Sequence, residues 1–251
     1  MGVSTTVDQP LKRLLEDAHH GRIQIPEFQR EFVLEDEWIK ELVASVSLGY
    51  SVGALMLLQA GSRDTRFGAH PIPGVPSSSM ESEWLLLDGQ QRLTALHHVF
   101  TSGDGVRGRS HQKAPIDRRY YIDINAALDL RADRDDTIIS VEEIVSGRPG
   151  QLDVRVMESE WAQGVFPLDL VFGVDVAFRH WQRGFVNFGA AADAGSRSLL
   201  MARFETEVLK EIREYAVPTI LLARETARWS VRVHGGPDGR RLSDRFRAPV
   251  G

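Results

Sequence analysis

Residues 8–20 (DQPLKRLLEDAHH) space Leu11, Leu14, Leu15 and Ala18 at i, i+3, i+4 and i+7, which predicts an amphipathic helix with Gly21 at its stop. Residues 23–25 read as a short strand closed by Pro26. After an irregular stretch, Trp38, Leu42, Val43 and Val46 mark one face of a second helix near 35–48, with Glu35, Asp36 and Glu37 at its positive start. The run VGALMLLQ (52–59) is short and apolar, which suits a buried strand. Residues 61–82 carry Gly, Pro and Ser without a period and read as a loop, with a hairpin connection open. WLLLD (84–88) is the next buried strand, and QRLTALHHVF (91–100) switches to helical spacing through Leu93, Leu96 and Phe100. A polar, locally basic loop (101–119) leads to an alternating strand, RYYIDIN (119–125). From about 137 the pattern reads as helical, with helices near 175–188 and 196–215, the segment VFPLDLVF (165–172) between, and a final strand at 219–223.

The outline is α+β: a small mixed sheet with helices in residues 1–125, a mostly helical extension of the same domain in 126–223, and a tail in 224–251. The strict βαβα alternation of a doubly wound fold is missing. Twenty-six Arg against four Lys fit a GC-rich genome as readily as selection for phosphate contacts. A net charge of −5 argues against whole-surface attraction to nucleic acid or anionic lipid but leaves a local basic site open. Cysteine is absent, which excludes disulfides, thiolate catalysis and Cys-rich zinc sites. No apolar run approaches the ~18–20 residues that span a bilayer, so the expected setting is a soluble protein in the cytoplasm, without a membrane partner.

The sharpest local signal is Asp88-Gly89-Gln90-Gln91-Arg92, where a buried strand ends and a helix begins. Free backbone N–H groups and the positive end of the macrodipole favour an anion at such a junction. Gly89 permits the tight turn and Arg92 offers a planar fork for phosphate oxygens. Asp88 can hold Mg2+ or orient a water, and Gln90 and Gln91 can position that water. On spacing alone an Asp cap followed by a polar first turn accounts for the run somewhat better. A second signal, IPEFQREFVL (25–34), interleaves Phe28 and Phe32 with Gln29 and Arg30 behind the stiffening Pro26. Either aromatic taken singly suits a core position.

Taken together, IPEFQREFVL (25–34), GYSVGALMLL (49–58) and LLLDGQQRLTAL (85–96) resemble the N-terminal domain family of GmrSD-type modification-dependent restriction proteins, whose core is similar to ParB and sulfiredoxin. Weaker agreement runs through FPLDLVF and residues 204–222, so the similarity covers most of 8–223. The resemblance implies a nucleotide-hydrolysing sensor domain in antiphage defence, acting on GTP or ATP with Mg2+. It assigns Asp88, Gln90, Gln91 and Arg92 to hydrolysis, with Asp88 at the metal, and Gly89, Arg92 and Arg30 to nucleotide binding. It assigns Pro26, Phe28, Gln29 and Arg30 to a pocket that senses modified, in some members phosphorothioated, DNA. Sulfur in place of a phosphate oxygen makes one face larger, softer and less hydrated, which suits a proline and aromatic wall. A non-hydrolysing adaptor that binds DNA or a partner is the competing reading, and assembly into a homo-oligomer stays open.

Two departures stand out. Nothing after residue 223 carries the His and Asn framework of the HNH nuclease domain common in the family, so cleavage is expected from a missing C-terminal domain or a partner. Residues 224–251 hold seven Arg and three acids with few apolar residues, which reads as a disordered tail left by a truncation or altered frame rather than a DNA-binding arm. The adjacent pairs His19-His20 and His97-His98 point about 100° apart on their helices and suit a shared metal poorly. Glu142-Glu143 and residues 133–136 read as exposed caps. No GxxxxGK[ST] loop occurs, which excludes a P-loop enzyme.

Overall fold

Proline decides where the first helix begins. In the computed structural model, which describes residues 4–27, 29, 34–61, 68–75, 82–101, 118–142 and 156–223, strand β1 (Ser4–Pro10) precedes helix α1 (Leu11–His19). Pro10, at φ −54° and ψ 130°, keeps the chain extended up to the helix, and a residue before proline is held off helical angles. The helix expected from residue 8 therefore starts three residues later. Its stripe is as the spacing predicts, with Leu11, Leu14, Leu15 and Ala18 all buried.

Next come β2 (Ile23–Pro26), buried along its whole length, and α2 (Asp36–Ser47), whose Ile39, Leu42, Val43 and Val46 face inward. β3 (Leu55–Gln59), β4 (Ala69–Pro71) and β5 (Trp84–Asp88) follow, and β5 runs directly into α3 (Gln90–Thr101). The expected loop 61–82 thus contains a short strand. β6 (Arg118–Asp123) leads through a helical turn, α4 (Ile124–Ala127), to β7 (Ile138–Glu142). The helical reading from 137 is corrected here. Ile138, Ile139 and Val141 are β-branched and pair with β6, so cross-strand packing overrides a short polar pattern.

The remainder is α5 (Met157–Gln163), β8 (Val165–Pro167), α6 (Asp175–Asn187), α7 (Ala194–Phe204), a π-helical turn (Glu205–Leu209), α8 (Lys210–Glu214) and β9 (Ala216–Leu222). The predicted helix near 196–215 is this contiguous stretch, widened by the π turn so that Val208 and Leu209 both stay buried.

The strands form a six-stranded sheet in the order β1-β9-β3-β5-β2-β4 and a three-stranded sheet in the order β7-β6-β8. The larger sheet is mixed: β9 runs parallel to β3 and β2 parallel to β5, while β1/β9, β3/β5 and β2/β4 are antiparallel. The fold is α+β. One continuous core joins the inner face of that sheet to α1, α2, α3 and the later helices, with Leu14, Leu57, Leu86, Phe100, Trp181 and Phe204 at or below 1% exposure. Phe166 of β8 meets Trp181 edge-on at 5.0 Å, which ties the smaller sheet into the same core. Among the described residues no helix is long and apolar enough to cross a membrane. Residues 224–251 lie outside the described residues.

Candidate functional site

β2 and β5 run side by side and parallel only at Ile23 with Trp84 and Gln24 with Leu85. Beyond that point the β2 pairing with β5 ends, although β2 keeps β4 on its other edge through Ile25 with His70 and Pro26 with Ala69, and β5 is left with β3 on one side only. The side chain of Gln29 takes the place of β2 there. Its Nε2 donates to the carbonyl of Leu86 at 2.7 Å and to that of Leu87 at 3.1 Å, so a half-buried amide substitutes for strand pairing just before Asp88. The backbone N–H of Gln29 donates to the Pro26 carbonyl at 3.1 Å, closing the turn that presents it. The two sequence motifs therefore meet at one end of β5. Pro26 is buried, and Phe28 and Arg30 lie outside the described residues.

At the junction itself, Gly89 adopts φ +89° and its carbonyl accepts the Leu93 N–H at 3.0 Å, the first hydrogen bond of α3. A Cβ on Gly89 would strike the Leu55 side chain. Asp88 is thus one residue ahead of the cap position, and its carboxylate is 68% exposed and reaches the Arg92 guanidinium. Gln90 is half-buried and Gln91 exposed on the first turn.

Arg92, only 20% exposed, is clamped. Its Nη1 donates to the carbonyl of Val52 at 2.8 Å and its Nη2 to Asp88 Oδ2 at 3.2 Å. Gly53, at φ +86°, leaves the space that the guanidinium fills, because a Cβ there would overlap Nη1. The loop that receives Arg92 is itself pinned from the far end of the chain. The Tyr215 hydroxyl donates to the Tyr50 carbonyl at 2.7 Å and accepts the Val52 N–H at 3.2 Å. Sequence reasoning missed Tyr50, Val52, Gly53 and Tyr215. Gly53 carried a signal, an isolated glycine opening an apolar strand, whereas Tyr215 ended a helix without distinguishing features.

A second polar hub holds the exit of the 25–34 segment. Asp36, first residue of α2, accepts from Ser140 Oγ at 2.6 Å and the Tyr120 hydroxyl at 3.0 Å, with Arg118 and Lys40 each 3.4 Å away. Burial alone would push this carboxyl up, but the two hydroxyl donors and the two cations outweigh it and hold the carboxyl below its usual range. The hub joins α2 to the three-stranded sheet.

The two histidine pairs meet between α1 and α3. His19 stacks on His97 with centroids 5.6 Å apart and planes 22° apart. Among the described residues no three His, Cys, Asp or Glu side chains form a ready metal cage. A cavity of about 330 Å3, lined by Val7, Arg13, Asp17, Ile23 and Trp84 among others, lies at the opposite end of β5 from Asp88 and is separate from this junction.

An uncharacterized protein of Methanocaldococcus jannaschii is 23% identical over 224 residues, which cover 83% of this chain and 34% of that protein, so the chain spans about a third of its relative's length. The family described as the N-terminal domain of the GmrSD restriction endonuclease matches residues 11–156, a span that contains both the 25–34 turn and the 88–92 junction. The chain belongs to the GmrSD restriction endonuclease N-terminal domain family.

Proposed function

We propose that this chain is the nucleotide-hydrolysing sensor domain of a restriction system that acts on modified DNA. The observation that carries the reading is the junction of β5 and α3. Arg92, Asp88 and the N-terminal end of α3 meet there, and Gln29 ties the 25–34 turn to the same strand end. A triphosphate suits this place because the positive end of the helix dipole attracts anions, and a guanidinium neutralises phosphate charge. Gln91, exposed on that turn, is free to orient a water toward the terminal phosphate, with Gln90 beside it.

Mg2+ would neutralise phosphate oxygens when it arrives with the nucleotide. Asp88 is the carboxylate that would hold it, and a single exposed carboxylate suits an ion that keeps most of its shell as water and phosphate. Arg92 has to exchange at least one of its present partners for phosphate. Arg30 is assigned to the nucleotide and the DNA backbone, and Pro26, Phe28 and Gln29 to the modified phosphate. The nuclease belongs to a further domain or a partner subunit.

The test is turnover of GTP and ATP by the wild type and by Arg92→Ala, each with no DNA and with unmodified, phosphorothioated or base-modified duplex. The expected result is Mg2+-dependent hydrolysis that one class of modified DNA stimulates and that Arg92→Ala lowers on the order of a hundredfold, leaving a measurable residue. Equal, negligible rates in both proteins would remove the enzyme reading and leave a DNA- or partner-binding adaptor that uses Arg92 as a clamp.

A further inference from the structure

The Tyr215 hydroxyl sits between two peptide groups of the loop that receives Arg92. It donates to the Tyr50 carbonyl at 2.7 Å and accepts from the Val52 N–H at 3.2 Å, while the carbonyl of the same Val52 accepts Arg92 Nη1 at 2.8 Å. The peg is anchored at its base as well. The Tyr215 carbonyl accepts the Leu11 N–H that opens α1, at 2.8 Å, and its N–H reaches the Ile212 carbonyl at 3.3 Å. Its side chain is 7% exposed as a residue and crosses from the end of α8 to residues more than 160 positions earlier. Gly53 next to Val52 has no Cβ, which leaves the guanidinium room to rest between the Val52 carbonyl and Asp88.

We infer that Tyr215 is a positioning residue for Arg92, fixing the Val52 carbonyl that aims the guanidinium across the start of α3. The inference rests on the reading of Arg92 as the phosphate ligand for its consequence in catalysis, and on the geometry alone for the placement. Phenylalanine keeps the ring and its packing and deletes only the hydroxyl, so Tyr215→Phe separates positioning from folding.

Two readouts test it in the full chain. In 15N-labelled protein the Arg92 Nε–H resonance is identified by its loss in Arg92→Ala, and Tyr215→Phe is expected to shift or broaden it while thermal unfolding stays a single cooperative transition whose midpoint falls by only a few degrees. In Mg·GTP and Mg·ATP turnover, Tyr215→Phe is expected to lower kcat/KM on the order of tenfold, as a misplaced ligand does, and to add nothing in the Arg92→Ala background. A shifted resonance in a protein without turnover keeps the positioning role and discards hydrolysis. An unmoved Arg92 resonance, or an equal loss of rate in both backgrounds, overturns the inference.

Discussion

Replacing Glu160 by glutamine should expose a proton balance that the wild type conceals. Glu160 of α5 is 2% exposed; Trp181 Nε1 donates to its Oε2 at 2.6 Å and Arg119 Nη1 lies 3.7 Å from Oε1. That arginine is spent mainly on Asp169, 2.8 Å away, so two carboxylates share one cation. Burial pushes Glu160 up from 4.5 to about 7, Asp169 adds to the rise, and Trp181 and Arg119 offset only part of it. His97 of α3 is displaced the other way, from 6.5 to about 3, by burial and then by His19 and His98. For the glutamate, the native state binds the proton more tightly than the unfolded chain, so its contribution is complete below pH 4.5 and is lost as pH rises toward 7. For the histidine, the unfolded chain binds the proton more tightly, so its contribution is complete above 6.5 and is lost as pH falls toward 3. Between pH 5 and 6.5 the two slopes oppose and cancel, about one proton each, at about 1.4 kcal/mol per pH unit. Asp36, held below its usual range, titrates beneath this window, and Glu205, whose carboxyl is raised by burial, gives the same background slope in every variant. Glu160→Gln keeps an acceptor for Trp181 but cannot titrate, so its stability should climb by about 2 kcal/mol relative to the wild type from pH 5 to 6.5. His97→Gln should fall relative to the wild type by a similar amount, and the double variant should run parallel to the wild type. Urea unfolding followed by tryptophan fluorescence at four pH values measures this, and a Glu160→Gln profile parallel to the wild type would refute the reasoning.

Gly89→Ala should cost more than about 2 kcal/mol, because alanine is strained at positive φ and its Cβ would displace Leu55. Chemical denaturation reads the loss, and a cost below about 0.5 kcal/mol would mean that the turn relaxes. Gln29→Ala should destabilise by about 1–2 kcal/mol by leaving the Leu86 and Leu87 carbonyls without their amide donor. Hydrogen exchange should localise its effect to the end of β5 and the start of α3, and uniform protection across that junction would contradict the bridging role.

The parts of the fold legible in the sequence are those where one face is apolar and local geometry agrees with it. The α1 stripe and the β5-to-α3 junction, at 84–88 and from 90 onward, are of this kind. β1 was illegible because it is an exposed edge strand without an apolar face, and a polar pattern in front of LKRLL reads as a helix start until Pro10 is considered. β7 is a strand only because β6 lies beside it. In the site, Asp88, Gly89 and Arg92 were visible as a contiguous run. The frame around Arg92 was not, because Val52 contributes a carbonyl, which any residue possesses, and Tyr215 arrives from 123 positions beyond Arg92. The role of Gln29 as a bridge between backbones was hidden for the same reason.

The place of β9 has a consequence for how the protein comes into being. It lies between β1 and β3, and its register matches Ser4 with Leu222 and Leu58 with Leu222 on its two sides. A ribosome must therefore release the chain past residue 222 before the larger sheet can close. Until then β1 has nothing to pair with and β3 presents a bare apolar edge. A fragment trimmed to residues 11–156 would keep both motifs and lose β1, β8 and β9 together, and such a piece should associate through that edge instead of behaving as a miniature of the whole.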